Sequence, residues 1–297
     1  MSHPKRHHIT PKFFLRRFAD ARDRVTVIHR DDHTEFTADV INAVVERKFY
    51  DSPLPGSDDP YWVEKAFSQV EGEAKQALDR IDSGAFPPLG RDREVLRTFV
   101  ALGLIRGYRF RRVVQPAYEG WKTLPLPTRE EMSANARLLL GVEPSTDELD
   151  AMICDVQRAK ELDESLPSGA ASGLIALIAG AVAEHLARRT WHLLTFEEPV
   201  LVTGDSPVAL NNDMLSRSQP IGIDCDEILM PIDPRRVLFL LKISQDGTSR
   251  RGPPELAGRV NFIVASQCVR WIVHHPAIVP LLDLKAIGLA GDTFVQP

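Results

Sequence analysis

Cysteine is scarce in this chain: three among 297 residues, Cys154, Cys225 and Cys268, odd in number and far apart. That pattern excludes a disulfide framework and a CxxC zinc site, and it points to reduced thiols in a cytoplasmic protein. Long apolar runs are missing too. The most apolar stretch, Gly173 to Val182, is about half of what a bilayer demands, so no membrane partner is expected. The opening Met-Ser-His-Pro-Lys-Arg-His-His lacks the apolar centre of a secretory signal. Also absent are GxxxxGK[ST], GxGxxG after a strand, GxSxG and HExxH, which removes the strongest short signatures of nucleotide, hydrolase and zinc-protease chemistry. Gly204-Asp205-Ser206-Pro207 resembles a nucleophilic serine turn, but Pro207 does not suit an elbow that runs into a helix.

What is present is an ordinary globular composition, 43% hydrophobic and 26% charged, long enough to bury a substantial core. The net charge of −5 is unevenly spread. Met1 to Arg30 carries +6 and Arg91 to Arg112 carries +5, which leaves −16 for the rest. Two basic islands in an acidic chain suit nucleic acid or another phosphate-bearing ligand, or else they pair with the acidic remainder at the surface.

Periodicity places helices first and strands late. Thr10 is positioned as an N-cap with Pro11 at the first helical position, followed by the apolar stripe Phe14, Leu15 and Phe18. Arg24 to His29 reads as a strand. Helical patterns then run from Pro60 to Ile81, Asp92 to Val114, Thr128 to Leu140, Ser145 to Leu162 and Gly173 to Arg189. Thr128-Arg-Glu-Glu and Ser145-Thr-Asp-Glu both carry the reciprocal capping pattern. After Arg189 the texture becomes short β-prone runs, with one late helix from Glu255 to about Cys268 and a further β-prone run, Val269 to Val273. The expected fold is α+β: a mainly helical N-terminal two-thirds, with a small mixed or antiparallel sheet built mostly from the C-terminal third, in a single domain spanning 1–297.

Candidate chemistry gathers in a few polar groups. His7 and His8 are adjacent, so on an extended segment they face opposite ways; imidazole serves as acid–base group or metal ligand, or simply bonds backbone. Glu64 and Glu71 are seven apart and share a helix face, which suits a divalent cation or a general base, or a solvated face. Lys48 and Arg106 stand beside aromatics and suit phosphate or carboxylate oxygens, or core-edge ion pairs. Asp205 ends a β-prone run, a place for either a reactive carboxylate or an Asx-turn.

The run His-His-Ile-Thr-Pro-Lys-Phe-Phe-Leu-Arg-Arg-Phe (7–18) resembles the opening of domain-of-unknown-function family 4238. Further blocks follow in the family's order: Lys48-Phe49-Tyr50 and then Glu64 and Glu71; Trp191 and then Thr203-Gly204-Asp205-Ser206-Pro207-Val208; Pro231-Ile232-Asp233-Pro234; and Asn261 on a later helix. Gly103 stands where the resemblance leads one to expect Gln. The resemblance implies a shared polar site but no known reaction.

The expectation that follows is a hydrolase or nuclease acting on a phosphodiester or nucleotide, in a toxin or phage-defence setting. His7, His8, Glu71 and Asp205 are its catalytic candidates. Lys48, Arg106 and Asn261 would bind substrate, and His8, Glu64, Glu71 and Asp205 would hold a divalent metal ion. The alternatives are a non-catalytic nucleic-acid or nucleotide-binding module and a structural or regulatory interaction protein whose polar residues fix the fold.

Overall fold

The computed structural model describes residues 6–47, 62–108, 123–133, 144–161, 179–212, 223–243, 247 and 249–287. The chain gathers into two compact units, Met1–Arg111 with Ser168–Pro297, and Arg112–Pro167.

In the larger unit the N-terminal region is already β-rich. Strand β1 (Arg6–His8) leads through helix α1 (Lys12–Arg16) to β2 (Arg24–His29), β3 (Glu35–Asp39) and β4 (Val45–Arg47). Two helices follow, α2 (Trp62–Asp82) and α3 (Gly90–Ile105), and residues 179–186 are also helical. The second half supplies β5 (Thr190–Thr195), β6 (Thr203–Gly204), β7 (Ala209–Asn211), β8 (Glu227–Asp233), β9 (Arg236–Leu241) and β10 (Ser249–Arg251). A helix at Pro254–Gln267, strand β11 (Trp271–His274) and a short helix at Leu284–Ile287 complete it. The smaller unit contains the helix Thr146–Glu161. These three helices are α5, α6 and α4 respectively.

The fold is α+β, but the expected arrangement is corrected. Helices lie in the middle, and the described residues hold eleven strands in three sheets spread along the chain. Four of those strands precede residue 48. Apart from β2, which the sequence shows at Arg24 to His29, these strands are three to five residues long, too short for alternation to stand out. β2 lies between β3 and β11, so the two ends of the chain share one four-stranded sheet, β3-β2-β11-β6. The five-stranded sheet runs β10-β5-β9-β8-β7, and β1 pairs only with β4. Of the β-prone residues Pro199 to Thr203, only Thr203 enters a strand, β6.

The five-stranded sheet is buried on both faces. Ile228, Met230, Leu238 and Leu240 face a core shared with α2 and α3, while Leu229, Val237 and Phe239 face a second core under α5. Period-two alternation therefore separates two apolar faces rather than apolar from polar, and each fully buried side chain contributes about 1.5–3 kcal/mol. The edge at β7 is closed by Gln267, whose side-chain amide accepts from Leu210 N (3.0 Å) and donates to Leu210 O (2.6 Å).

Thr10 does not cap α1. Pro11 is the N-cap, and the Thr10 hydroxyl instead donates to the Gly204 carbonyl at 2.7 Å. Both capping boxes of the smaller unit form, Thr128 with Glu131 and Ser145 with Glu148. The described arginines of the basic islands are mostly paired: Arg16 with Asp23, Arg17 with Asp82, Arg24 with Asp20, Arg91 with Glu73 and Arg97 with Glu184. No helix among the described residues is long and apolar enough to cross a membrane.

Candidate functional site

The site starts from the β1–β4 ladder. Its antiparallel register sets Arg6 against Arg47, His7 against Glu46 and His8 against Val45. Residues directly opposite share a face and neighbours alternate, so His7 and Glu46 point one way and His8 the other. His7 is buried. His8 Nε2 lies 3.3 Å from the Val40 carbonyl, which places the ring proton on that nitrogen. Val44, just before β4, holds φ +50°, a costly conformation for a β-branched residue and of the kind that gathers at functional sites.

The end of α3 reaches this ladder with two side chains. Arg106 closes the helix; its Nη2 donates to the His8 carbonyl at 2.9 Å, its Nη1 pairs with Glu71 on α2, and its guanidinium lies 5.3 Å from the Phe67 ring. Two residues on, the Tyr108 hydroxyl donates to Glu46. Burial, and then the Glu46 carboxylate, push that hydroxyl well above its ordinary pKa, so it stays a donor.

Arg270 completes the cluster from the junction before β11. Its Nη1 donates to Glu46 Oε2 at 2.7 Å and to Tyr108 Oη at 3.1 Å. The guanidinium lies 4.7 Å from the Trp271 ring and 5.5 Å from that of Tyr108, within cation–π range of both. Trp271 Nε1 in turn donates to His29 Nε2 at 3.4 Å. The side chains of Arg270 and Glu46 are 41% and 32% exposed, so this is the accessible part of the cluster.

Asp205 is placed differently from a reactive carboxylate. It is 1% exposed. Its oxygens accept the backbone N–H groups of Val269 (2.9 Å), Arg270 (2.7 Å) and Trp271 (3.1 Å). Burial pushes its pKa up to about 6, opposed by those three donors. Arg30, buried beside it, donates Nε to the Cys268 carbonyl at 3.2 Å. Asp205 therefore fixes the backbone that carries Arg270. Gly107 explains how α3 comes so close: a Cβ there would stand 3.0 Å from the Asp205 carbonyl oxygen. Gly103 has a similar reason, since a Cβ would lie 2.6 Å from Val208 Cγ2.

His7, His8, Glu71, Arg106 and Asp205 are thus linked at one junction, through direct bonds or shared partners. Asn261 belongs elsewhere. It is buried on α5, accepting Val202 N (3.0 Å) and donating to Val200 O (2.7 Å), which secures an irregular segment. Lys48 lies outside the described residues, and Glu64 sits on α2 with its side chain outside them. Among the described residues no group of three or more His, Cys, Asp or Glu is arranged to hold a metal ion. The sequence reading missed Glu46, Tyr108, Arg270, Trp271 and His29. The one signal, for two of them, was the Arg270-Trp271 pair inside the β-prone run Val269 to Val273.

An α+β fold whose two chain ends share a sheet, with an Arg–Glu–Tyr cluster where they meet, defines the protein's class. Within that class the chain belongs to the family described as "Protein of unknown function (DUF4238)", whose model matches residues 6–277. No curated protein and no solved structure matches it.

Proposed function

We propose that the protein is a hydrolase acting on a phosphodiester or nucleotide substrate at the junction of β1, β4, the end of α3 and β11. The observation that carries this reading is the His7–Glu46 pair on one face of the ladder, with the half-exposed Arg270 on the Glu46 carboxylate. Arg270 and Arg106 supply positive charge for phosphate oxygens, a role worth a few kcal/mol per well-placed donor. Hydrolysis adds water across the P–O bond. His7 takes the proton from the attacking water and returns it to the leaving oxygen, while the Tyr108 hydroxyl, donating to Glu46, holds that carboxylate beside Arg270. Asp205 acts through Arg270 and is a positioning residue. The free thiols Cys154, Cys225 and Cys268 suit a reducing compartment, and the reading places the protein in the cytoplasm.

The test is release of 4-nitrophenol from bis(4-nitrophenyl) phosphate and cleavage of a single-stranded oligonucleotide, each with and without Mg²⁺ or Mn²⁺. His7→Ala and Arg270→Gln are each expected to lower turnover by about 10²-fold or more with the fold retained. No turnover by the parent on either substrate, or full turnover by both variants, sinks the reading.

A binding-only role is favoured by one separate observation, the Arg270 guanidinium stacked on two aromatic rings. It predicts that the parent retains an oligonucleotide without cleaving it, and that Arg270→Gln releases it.

A further inference from the structure

Two features of the sequence take no part in the junction described above: the Pro231-Ile232-Asp233-Pro234 run and the second double histidine, His274-His275. They meet in space. The β8–β9 turn and the segment after β11 line a cleft of about 560 Å³, within the range of small-molecule sites.

The cleft is built on fixed backbone. The Pro234 carbonyl accepts the N–H groups of Val200 (2.7 Å) and Leu201 (2.9 Å), and the Arg235 carbonyl accepts that of Phe196 (2.7 Å). Asp233 forms the turn itself, its Oδ1 accepting the backbone N–H groups of Arg235 (2.8 Å) and Arg236 (2.9 Å). Pro199, Pro234 and Ile278 give the lining an apolar wall.

The charges in the lining are unequal. Arg17 and Arg236 are held by Asp82 at 2.7 and 2.6 Å, and Asp233 bonds Arg236 Nε at 2.7 Å. Arg235, the third arginine of the lining, is exposed, and its guanidinium pairs with no carboxylate among the described residues. On the opposite segment His275 Nδ1 accepts the Ala277 N–H at 3.1 Å, so the proton of the neutral ring sits on Nε2 as a donor. A guanidinium and an imidazole N–H beside an apolar wall match an anion joined to an apolar body.

We infer that this cleft is a binding site for a small organic anion, a carboxylate or phosphate monoester on an apolar body, with the Arg235 guanidinium and His275 Nε2–H as its donors. It is separate from the hydrolase reading, because none of the residues assigned to that site lines it.

The experiment is a titration of the full chain, labelled with ¹⁵N, with phenyl phosphate, benzoate and neutral benzamide, following amide shifts. Phenyl phosphate or benzoate is expected to shift the amides of Arg235, Arg236, Ala277 and Ile278, and the tighter of the two identifies the anion. Benzamide at the same concentration leaves these amides in place. Arg235→Gln, at an exposed position, is expected to weaken the anion about tenfold, which is about 1.4 kcal/mol. His275→Gln weakens it about threefold or more. Three results would each overturn the proposal: no shift at these amides with either anion, equal shifts with benzamide, or an Arg235→Gln titration that matches the parent.

Discussion

The Asp205 carboxylate and the backbone N–H of Arg270, 65 residues apart, meet at 2.7 Å. That bond joins the turn after β6 to the junction before β11, and it holds in place the arginine whose side chain meets Glu46 and Tyr108. A buried carboxylate spent on three backbone donors trades its own reactivity for the placement of another residue.

The first prediction concerns pH. Asp205 is raised from its ordinary 3.8 to about 6, so between those values the folded chain keeps a proton that the unfolded chain has lost. Its contribution to stability is therefore greatest below the lower value, falls as pH rises through the window, and levels off above about 6. The change is on the order of 3 kcal/mol. Urea unfolding of the parent and of Asp205→Asn from pH 4 to 7 checks this. The parent should lose stability relative to the variant up to about pH 6, and a constant difference across the range would contradict it.

Gly204 is the second. A Cβ at this position would overlap both the Trp271 carbonyl oxygen and Cys268 Sγ, and the first of these is backbone held in the β6–β11 pairing. Gly204→Ala should cost about 1–3 kcal/mol or more, read as a shift in the urea midpoint with unchanged slope. Gly72→Ala meets nothing within 4 Å in α2, and should be neutral or slightly stabilising.

Asn261 provides a third. Replacing it with Leu preserves bulk but leaves Val202 N and Val200 O without their side-chain partner inside the core under α5. A loss of about 2–4 kcal/mol is expected. Turnover per folded molecule should be unchanged, and a selective loss of turnover would return Asn261 to the site.

The fourth concerns Arg106. Lysine has no fork with which to reach the Glu71 carboxylate and the His8 carbonyl together. Arg106→Lys should lower stability by about 1–3 kcal/mol. Glu71→Gln, which keeps an acceptor oxygen, should cost less. Paired thermal melts decide the order, and equal effects would mean that the charge of Glu71, not the geometry of Arg106, holds the pair.

Long helices were legible because their signals are local. The apolar stripe Ala74, Ala77, Leu78 and Ile81 is buried on α2, and the broad apolar surface from Val95 to Ile105 matches the buried residues of α3. The capping pairs at Thr128 and Ser145 are equally local and equally plain. Strands β1 and β4 were hard to read for the opposite reason: each is three residues long and takes its register from the other. By contrast β2, six residues long, shows in the sequence at Arg24 to His29 even though its partner β11 is far along the chain, Trp271 standing 242 residues from His29.

The same division runs through the site. By itself the sequence singled out His7, His8, Lys48, Glu64, Glu71, Arg106, Asp205 and Asn261 as polar candidates, because residue type and position relative to helix starts and strand ends are written in it. Only the tertiary structure decided which carboxylate is accessible. Asp205 and Glu46 have the same chemistry, but Asp205 is enclosed by backbone N–H groups while Glu46 stays partly in solvent beside Arg270 and Tyr108. Burial and hydrogen-bond partners arise from the packing of segments far apart in the chain, and they separate a positioning carboxylate from one that a ligand can reach.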